Sequence, residues 1–190
     1  MSVKEVTGNL IDLAVMGEFD VIGHCTNCFN TQGGGIAVPM SKTFGTDKFY
    51  MEGSEFEGDI NKLGTIDYEE FVLGEDNKPY RIDSLNFSEE QIANMSNPRL
   101  TVVNSYGQFG LGGRFGNSPY GIPFDYDAFR MCLRKINHIF KGKKIGLPKF
   151  IGCGLAGGDW TVVEQMIADE LKDCDVTIVY LEPKPFTRFK

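Results

Sequence analysis

Apolar and polar positions along this chain alternate between strand-like and helix-like patterns. The run FDVIGHC at Phe19–Cys25 is largely apolar, as expected for a strand that is buried on both faces of a sheet. Between Asp125 and Lys141 the apolar residues recur on one helical face, and lysines lie at or beyond its end, where they suit the helix dipole. This succession of patterns predicts an α/β protein.

The same periodicities predict the other elements. Further strands are expected at Val3–Thr7, Gly64–Leu73, Arg99–Tyr106, Lys144–Phe150 and Val176–Leu181. Further helices are expected at Gly35–Phe44, Asp47–Ile60 and Asp159–Lys172. In the polar segment Gly74–Pro98, the capping signal that begins at Ser88 predicts a short helix. The 190 residues suit one domain, with an irregular tail from Glu182.

Composition narrows the class of partner. The net charge of −7 disfavours binding to nucleic acid, because an acidic surface repels a polyanion. The five cysteines form no regular framework, which favours reduced thiols in a cytoplasmic protein. We expect no signal peptide and no association with a membrane, since no apolar run approaches about 18 residues. A monomer is expected.

Glycine is frequent, with 23 of 190 residues against roughly 7% in an average protein. Most of the excess falls in three clusters, each directly after or a few residues after a predicted strand. In an open α/β sheet such loops gather at one rim, where their N–H groups can approach an anion. A tight turn explains any single cluster, whereas three at equivalent strand ends favour a phosphate-bearing ligand. The clusters are Gly33–Gly35, residues 107–116 and residues 152–158.

Two other site types are disfavoured by their spacing. The loose G-x-G-x-x-G at Gly152–Gly157 lacks an acidic residue about 20 positions later at a strand end, which argues against a dinucleotide-dependent dehydrogenase. Cys25 and Cys28 form a C-x-x-C without a second pair, so neither a metal nor another cofactor is predicted.

Several motifs resemble those of macrodomains. Residues 24–37, HCTNCFNTQGGGIA, are similar to the first ligand loop of that family, and residues 148–160, PKFIGCGLAGGDW, to its second, diphosphate-binding loop. Gly8–Leu10 resembles the opening G-D-[IL] element of the family. Residues 104–108 resemble the strand end before the distal part of the pocket, and residues 124–126 resemble the aromatic entry to the next helix. These motifs follow one another in the family's order. The match is closest to small members that are ADP-ribose-1''-phosphate phosphatases or terminal ADP-ribose protein glycohydrolases.

The resemblance implies a three-layer αβα sandwich with a mixed, mostly parallel central sheet. It implies ADP-ribose as the ligand, with adenine near Asn9, the diphosphate across Gly152–Gly158 and the distal ribose near Asn27. The residues implied to bind the ligand are Gly8, Asn9, Leu10, Gln32, Gly33, Gly34, Gly35, Ile36, Ala37, Ser105, Tyr106, Gly107, Gln108, Tyr126, Pro148, Ile151, Gly152, Cys153, Gly154, Leu155, Ala156, Gly157 and Trp160.

Three residues are candidates for catalysis. His24 is expected at the end of a central strand, facing the site, where it can transfer a proton; the alternative is a histidine satisfied inside the core. Asn27 corresponds by resemblance to an asparagine that holds the distal ribose or a water, and the alternative is a local turn. Asp159 is a candidate general base, with the N-cap of the last helix as the alternative.

Departures from the family's pattern guide the choice of reaction. Asn9 stands where the adenine-reading residue is usually Asp, and Ala156 stands where the glycohydrolases carry an Asp nucleophile. No lysine lies near Ser105 or Tyr106, where that subgroup has one. These departures favour removal of the 1''-phosphate from ADP-ribose-1''-phosphate. The alternatives are hydrolysis of ADP-ribosyl esters, either on carboxylates or as O-acetyl-ADP-ribose, and a non-catalytic module that binds ADP-ribose. An adaptor for RNA or poly(ADP-ribose) is least favoured by the charge.

Overall fold

The computed structural model describes residues 3–49, 58–84, 88–93, 98–111 and 116–183. Seven strands and five α-helices alternate along these residues. The strands are β1 Lys4–Thr7, β2 Val21–Asn27, β3 Ile66–Leu73, β4 Pro79–Arg81, β5 Arg99–Gln108, β6 Lys144–Pro148 and β7 Asp175–Tyr180. The helices are α1 Leu10–Val15, α2 Ala37–Phe44, α3 Glu89–Ala93, α4 Tyr126–Ile139 and α5 Trp160–Glu170.

The strands form one mixed sheet in the order β1-β7-β6-β2-β5-β3-β4. The first five strands of that order are parallel, while β3 pairs antiparallel with β5, and β4 antiparallel with β3. The parallel strands therefore end at the same edge. This arrangement confirms the predicted mixed, mostly parallel sheet.

Two apolar clusters cover the two faces of the sheet. Along β2, Val21 belongs to the cluster under α4 and α5, and its neighbour Ile22 belongs to the cluster under α1 and α2. Val103 and Val102 divide between the same two clusters on β5. Because successive side chains point to opposite faces of a strand, helices pack on both sides, and the predicted three-layer sandwich is confirmed.

Most predicted elements are found, with ends that lie within two residues of the predicted ones. The predicted cap at Ser88 is confirmed, since its Oγ accepts from Gln91 N at 3.2 Å and Gln91 Oε1 accepts from Ser88 N at 2.8 Å. Helix α1 and strand β4 were not predicted. Strand β4 returns through a turn in which Asp76 accepts from Lys78 N at 3.1 Å.

The predicted helix Asp47–Ile60 is wrong where the structure describes it. A 3-10 turn spans Thr46–Lys48, Phe49 is extended, and another 3-10 turn begins at Ile60. Residues 50–57 of that prediction lie outside the described residues, as do residues 184–190 of the predicted irregular tail. Within the described ranges, no helix has the length and apolar character needed to cross a membrane.

Candidate functional site

A cleft of about 810 Å³ lies at the carboxyl ends of β7, β6, β2 and β5. Adjacent strands are about 4.8 Å apart, so this row of four strand ends spans about 14 Å. Two loops form its walls: the first loop, residues 28–36, follows β2, and the second loop, residues 149–159, follows β6. A cleft of this volume and position is typical of a small-molecule site in an α/β fold.

The first loop is shaped by the side chain of Asn27. Its Oδ1 accepts from Phe29 N at 3.0 Å and from Thr31 N at 3.2 Å, while its Nδ2 donates to Thr31 O at 2.8 Å. This is the local turn given above as the alternative for Asn27. The residue also lines the cleft, so it fixes the wall that a ligand would meet.

The second loop depends on glycine at position 152. The backbone there has φ +72°, and a Cβ would lie 2.2 Å from Cε2 of the fully buried Phe124. Gly158 N donates to Gly152 O at 3.0 Å and closes the loop. The loop is therefore packed directly on the core, which holds its backbone in place.

The two loops meet over the middle of the cleft. A Cβ on Gly34 would lie 2.5 Å from Cδ1 of Leu155, and Leu155 itself is 87% exposed. The backbone N–H groups of Gly33, Gly34, Gly154 and Leu155 have no acceptor among the described residues. We call these four residues the neck. The Leu155 side chain lies against Gly34, and no atom lies within 4 Å of a Cβ built on Gly33 or Gly154. Unbonded amides beside this open space suit an anionic group.

Aromatic rings gather at the β7 side of the cleft. Phe150 is 48% exposed, and its ring centroid lies 5.5 Å from that of Trp160 and 6.2 Å from that of Tyr180. Lys149 Nζ lies 5.2 Å from the Tyr180 ring and donates to Glu5 at 2.7 Å. We call this region, formed by Asn9, Leu10, Ile11, Lys149, Phe150 and Tyr180, the aromatic end.

Asn9 joins the aromatic end to helix α1. Its Oδ1 accepts from Ile11 N at 2.9 Å and from Asp12 N at 3.4 Å, and so it caps the helix. The two backbone donors fix which amide atom faces the helix. The other amide atom, Nδ2, has no acceptor among the described residues.

Side chains that ionise at neutral pH are scarce in the cleft. Among the described residues that line it, Lys149 is the one with a charged group. Burial raises the pKa of the Cys25 thiol to about 12, so it stays protonated. The β5 side of the cleft, which we call the distal end, presents the amides of Asn27 and Gln108 and the hydroxyl of Thr31.

His24 is fully buried and does not line the cleft. The expectation that its ring faces the site is therefore wrong, because the ring lies on the covered face of the sheet that it shares with Ile22, where it contacts Asn104 of β5. Its Nε2 donates to Asn104 Oδ1 at 2.7 Å, and Asn104 Nδ2 donates to Thr46 O at 2.8 Å. Desolvation lowers the pKa of His24 to about 4, and a hydrogen bond with Asn104 opposes this shift only in part.

A second buried polar group lies beside Asn104, and sequence reasoning did not find it. The Tyr106 hydroxyl contacts Asn30 Oδ1 at 3.0 Å and Asp67 Oδ2 at 2.5 Å. Asn30 Nδ2 donates to Phe49 O, which leaves Asn30 Oδ1 as an acceptor. One hydroxyl proton cannot serve two acceptors at once. Burial raises the pKa of Asp67 to about 6, so below about pH 6 a protonated Asp67 can donate to Tyr106 and leave the hydroxyl proton for Asn30.

The structure brings together most of the residues implied by the resemblance. Those that line the cleft are Asn9, Leu10, Asn27, Gly33, Gly34, Gly35, Ile36, Ala37, Gln108, Pro148, Ile151, Gly152, Gly154, Leu155 and Ala156. Those that do not line it are Gly8, His24, Gln32, Ser105, Tyr106, Gly107, Tyr126, Cys153, Gly157, Asp159 and Trp160.

Several residues outside the cleft have evident structural roles. Asp159 is the N-cap of α5, where its Oδ1 accepts from Thr161 N at 2.8 Å, and Tyr126 accepts from Asp159 N at 2.9 Å. Gln32 Oε1 accepts from Thr46 Oγ1 at 2.5 Å. The structure thus shows Asp159 in the alternative role, as the N-cap of α5. Asp159 does not line the cleft, and its role as a general base stays a prediction.

Other lining residues were missed from the sequence. They are Ile11, Cys25, Thr26, Thr31, Pro39, Leu111, Lys149, Phe150, Val179, Tyr180 and Leu181. A signal existed for the aromatic end, because Phe150 and Tyr180 both stand at the ends of predicted parallel strands, which share one edge of the sheet. No group of three or more His, Cys, Asp or Glu among the described residues could hold a metal ion.

Comparison with solved structures identifies the class of fold. The macrodomain of Thermus aquaticus DarG superposes with a TM-score of 0.54 over 96% of this chain and 99% of its own, at 16% identity. DarTG of Thermosipho africanus, solved in complex with ADP-ribose, gives a TM-score of 0.57 over 100% of this chain and 44% of its own, at 13% identity. The chain has the macrodomain fold.

Proteins closer in sequence are also similar along their whole length. A structure of a protein of unknown function from Bacteroides thetaiotaomicron has 27% identity and a TM-score of 0.62, over 95% of this chain and 99% of its own. The uncharacterized 17.5 kDa protein of the tk-vs intergenic region of Enterobacteria phage T4 is 27% identical over 192 residues, covering 96% of this chain and 99% of its own. No protein-family model matches the sequence.

Proposed function

We propose that this protein binds ADP-ribose, free or as part of a larger molecule, along the cleft. The observation that carries the proposal is the neck, where N–H groups from both loops lie unbonded next to an aromatic end. A ligand that combines a flat base with linked phosphates matches both features. The structure of Thermosipho africanus DarTG in complex with ADP-ribose, of which 44% matches this chain, supports this choice of ligand.

The base belongs at the aromatic end. Phe150 offers an exposed ring held in place by Trp160 and Tyr180, and a purine stacked on an aromatic ring gains about 1–3 kcal/mol. The diphosphate then lies at the neck, where the open space at Gly33 and Gly154 lets the backbone approach closely. The distal ribose reaches Asn27 and Gln108. Asn27 Oδ1 is filled by two backbone donors, so Asn27 offers the second N–H of Nδ2, while Gln108 offers Oε1 and the Nε2 N–H that does not bond Gly110 O.

Binding is supported better than turnover. His24 is buried with a lowered pKa, and the described part of the distal end presents no carboxylate or imidazole to a ligand. Removal of a 1''-phosphate and hydrolysis of ADP-ribosyl esters remain predictions from the resemblance. Either reaction would depend on a water held at the distal end, by Gln108 Oε1 or the remaining N–H of Asn27 Nδ2.

Calorimetric titration tests the binding. ADP-ribose should bind more tightly than AMP, because only ADP-ribose fills the neck and the distal end. The absence of heat and of any thermal stabilisation with ADP-ribose would refute the proposal. For turnover, purified protein is offered ADP-ribose-1''-phosphate, O-acetyl-ADP-ribose and a protein ADP-ribosylated on carboxylates, and release of free ADP-ribose or of phosphate is measured.

A further inference from the structure

The side chain of Asn9 both caps helix α1 and lines the cleft, and the two roles use different atoms of its amide. Both hydrogen bonds that it accepts from α1, from Ile11 N and Asp12 N, converge on Oδ1. A carboxamide oxygen has two lone pairs, so these bonds leave it no capacity for a ligand. Since Asn9 lines the cleft, the amide atom that it can offer to a bound base is the donor Nδ2.

The other charged and polar groups of the aromatic end reinforce this donor character. Lys149 carries a positive charge beside the Phe150 and Tyr180 rings, at 5.6 Å and 5.2 Å from their centroids. Its partner carboxylate on Glu5 accepts from Lys149 Nζ through both oxygens, at 2.7 Å and 2.8 Å. The hydroxyl of Tyr180 can donate or accept. The aromatic end thus favours a base edge that accepts hydrogen bonds.

We propose that Asn9 reads the base by donating from Nδ2 to a ring nitrogen or a carbonyl oxygen, so that the 6-amine of adenine does not determine affinity. The inference rests on the proposed function and specifies its substrate class: a nucleoside diphosphate ribose whose purine presents an acceptor. Adenine satisfies this through N1, N3 or N7, and a 6-oxopurine, whose N1 carries a proton, satisfies it through N3, N7 or its carbonyl oxygen. A carboxylate at position 9 would reverse the preference, because its outer oxygen accepts from an amine and repels a carbonyl.

The experiment compares two ligands on three proteins by calorimetry. The ligands are ADP-ribose and its hypoxanthine counterpart, in which a carbonyl replaces the 6-amine and N1 gains a proton, while N3, N7 and the carbonyl oxygen are acceptors. The wild-type protein should bind the hypoxanthine ligand at least as tightly as ADP-ribose. Asn9→Asp should move the ratio of the two Kd values by about tenfold in favour of adenine, the size of one hydrogen-bonded discrimination.

Asn9→Ser separates base reading from capping. Serine caps a helix about as well as asparagine, but its hydroxyl is held at the helix end and does not extend to the position of Nδ2, so both ligands should weaken by about fivefold while their Kd ratio stays constant. The proposal is overturned if the wild-type protein prefers ADP-ribose by tenfold or more, or if Asn9→Asp leaves the ratio unchanged. If neither ligand binds the wild-type protein, the proposed function fails instead, and the two outcomes are therefore distinct.

Discussion

His24 and Asn104 face each other across the pairing of β2 with β5, and His24 Nε2 donates to Asn104 Oδ1 at 2.7 Å. Asn104 in turn donates to Thr46 O, at the turn that follows α2. The histidine therefore ties two central strands to the element that supports the first loop. The contacts of His24 therefore assign it a structural role, and it does not line the cleft.

Replacing His24 tests this structural role. His24→Ala removes a buried ring and leaves Asn104 Oδ1 unpaired, so the free energy of unfolding should fall by about 2–4 kcal/mol. The Kd for ADP-ribose should change by less than about threefold at a temperature where the variant is folded. Urea denaturation and calorimetry measure the two quantities. His138→Ala, at the exposed histidine of α4, is the matched control and should change neither. A folded His24→Ala protein that binds normally but loses a measured turnover would restore the proton-transfer hypothesis.

Two buried groups give the stability of the protein opposing dependences on pH. Burial raises the pKa of Asp67 from 3.8 to about 6, so the folded state holds this proton more tightly, and the free energy of unfolding falls as pH rises from about 4 to about 6. Burial lowers the pKa of His24 from 6.5 to about 4, so the unfolded chain holds that proton more tightly, and the free energy of unfolding rises from about pH 4 to about 6.5. Each effect is about 3 kcal/mol, and they largely cancel.

Replacing Asp67 or His24 singly should reveal how the other group makes the free energy of unfolding depend on pH. Relative to the wild-type curve, Asp67→Asn should become more stable as pH rises from about 4 to 6.5, since only His24 then titrates, and the asparagine amide can still donate to Tyr106. His24→Gln should show the opposite change, with stability falling over the same range. Urea denaturation at several pH values between 4 and 7 measures both. Curves parallel to that of the wild type for both variants would mean that neither group titrates as stated.

The sequence predicted the layers of the fold because strands and helices with strong periodicity are fixed by burial. The apolar stripe of α4 and the apolar run of β2 leave little choice. Helix α1 was missed because it has six residues, too few for a period to show, and because Asn9 was interpreted as a ligand residue when it is also the N-cap. Strand β4, with three residues, is too short for the same reason.

The glycine walls of the site were predictable, whereas the direction of His24 was not. Glycine clusters at the ends of parallel strands imply a rim, so Gly33–Gly35 and Gly154 were placed correctly beside the cleft. A strand buried on both faces carries no alternation of polar and apolar residues, so nothing in the sequence shows which way the His24 ring points. The partners of Asp67 depend on pairing with β5, a contact distant in sequence.

Glycines of the second loop should separate folding from binding. Gly152→Ala places a Cβ against Phe124 at a backbone φ of +72°, so it should lower the free energy of unfolding by about 1–3 kcal/mol. At Gly154 a Cβ meets nothing within 4 Å, so Gly154→Ala should leave stability within about 0.5 kcal/mol. If phosphates lie at the neck, that methyl group nevertheless intrudes on the ligand, and ADP-ribose affinity should fall by about tenfold. Unchanged affinity in Gly154→Ala would move the diphosphate away from this loop.

Trp160 provides a direct optical test of the aromatic end. It is the single tryptophan of the chain, and its ring centroid lies 5.5 Å from that of Phe150 while the residue stays outside the cleft. A base that stacks on Phe150 changes the surroundings of Trp160 without touching it, so titration with ADP-ribose should shift its fluorescence with the Kd found by calorimetry.

Phe150→Ala should abolish that signal and weaken binding by about tenfold, the loss expected for one stacking ring. Tyr68→Ala is the control, because that half-exposed ring packs on Phe140 away from the cleft and should affect stability alone. Equal loss of affinity in both variants, or full affinity in Phe150→Ala, would place the base elsewhere.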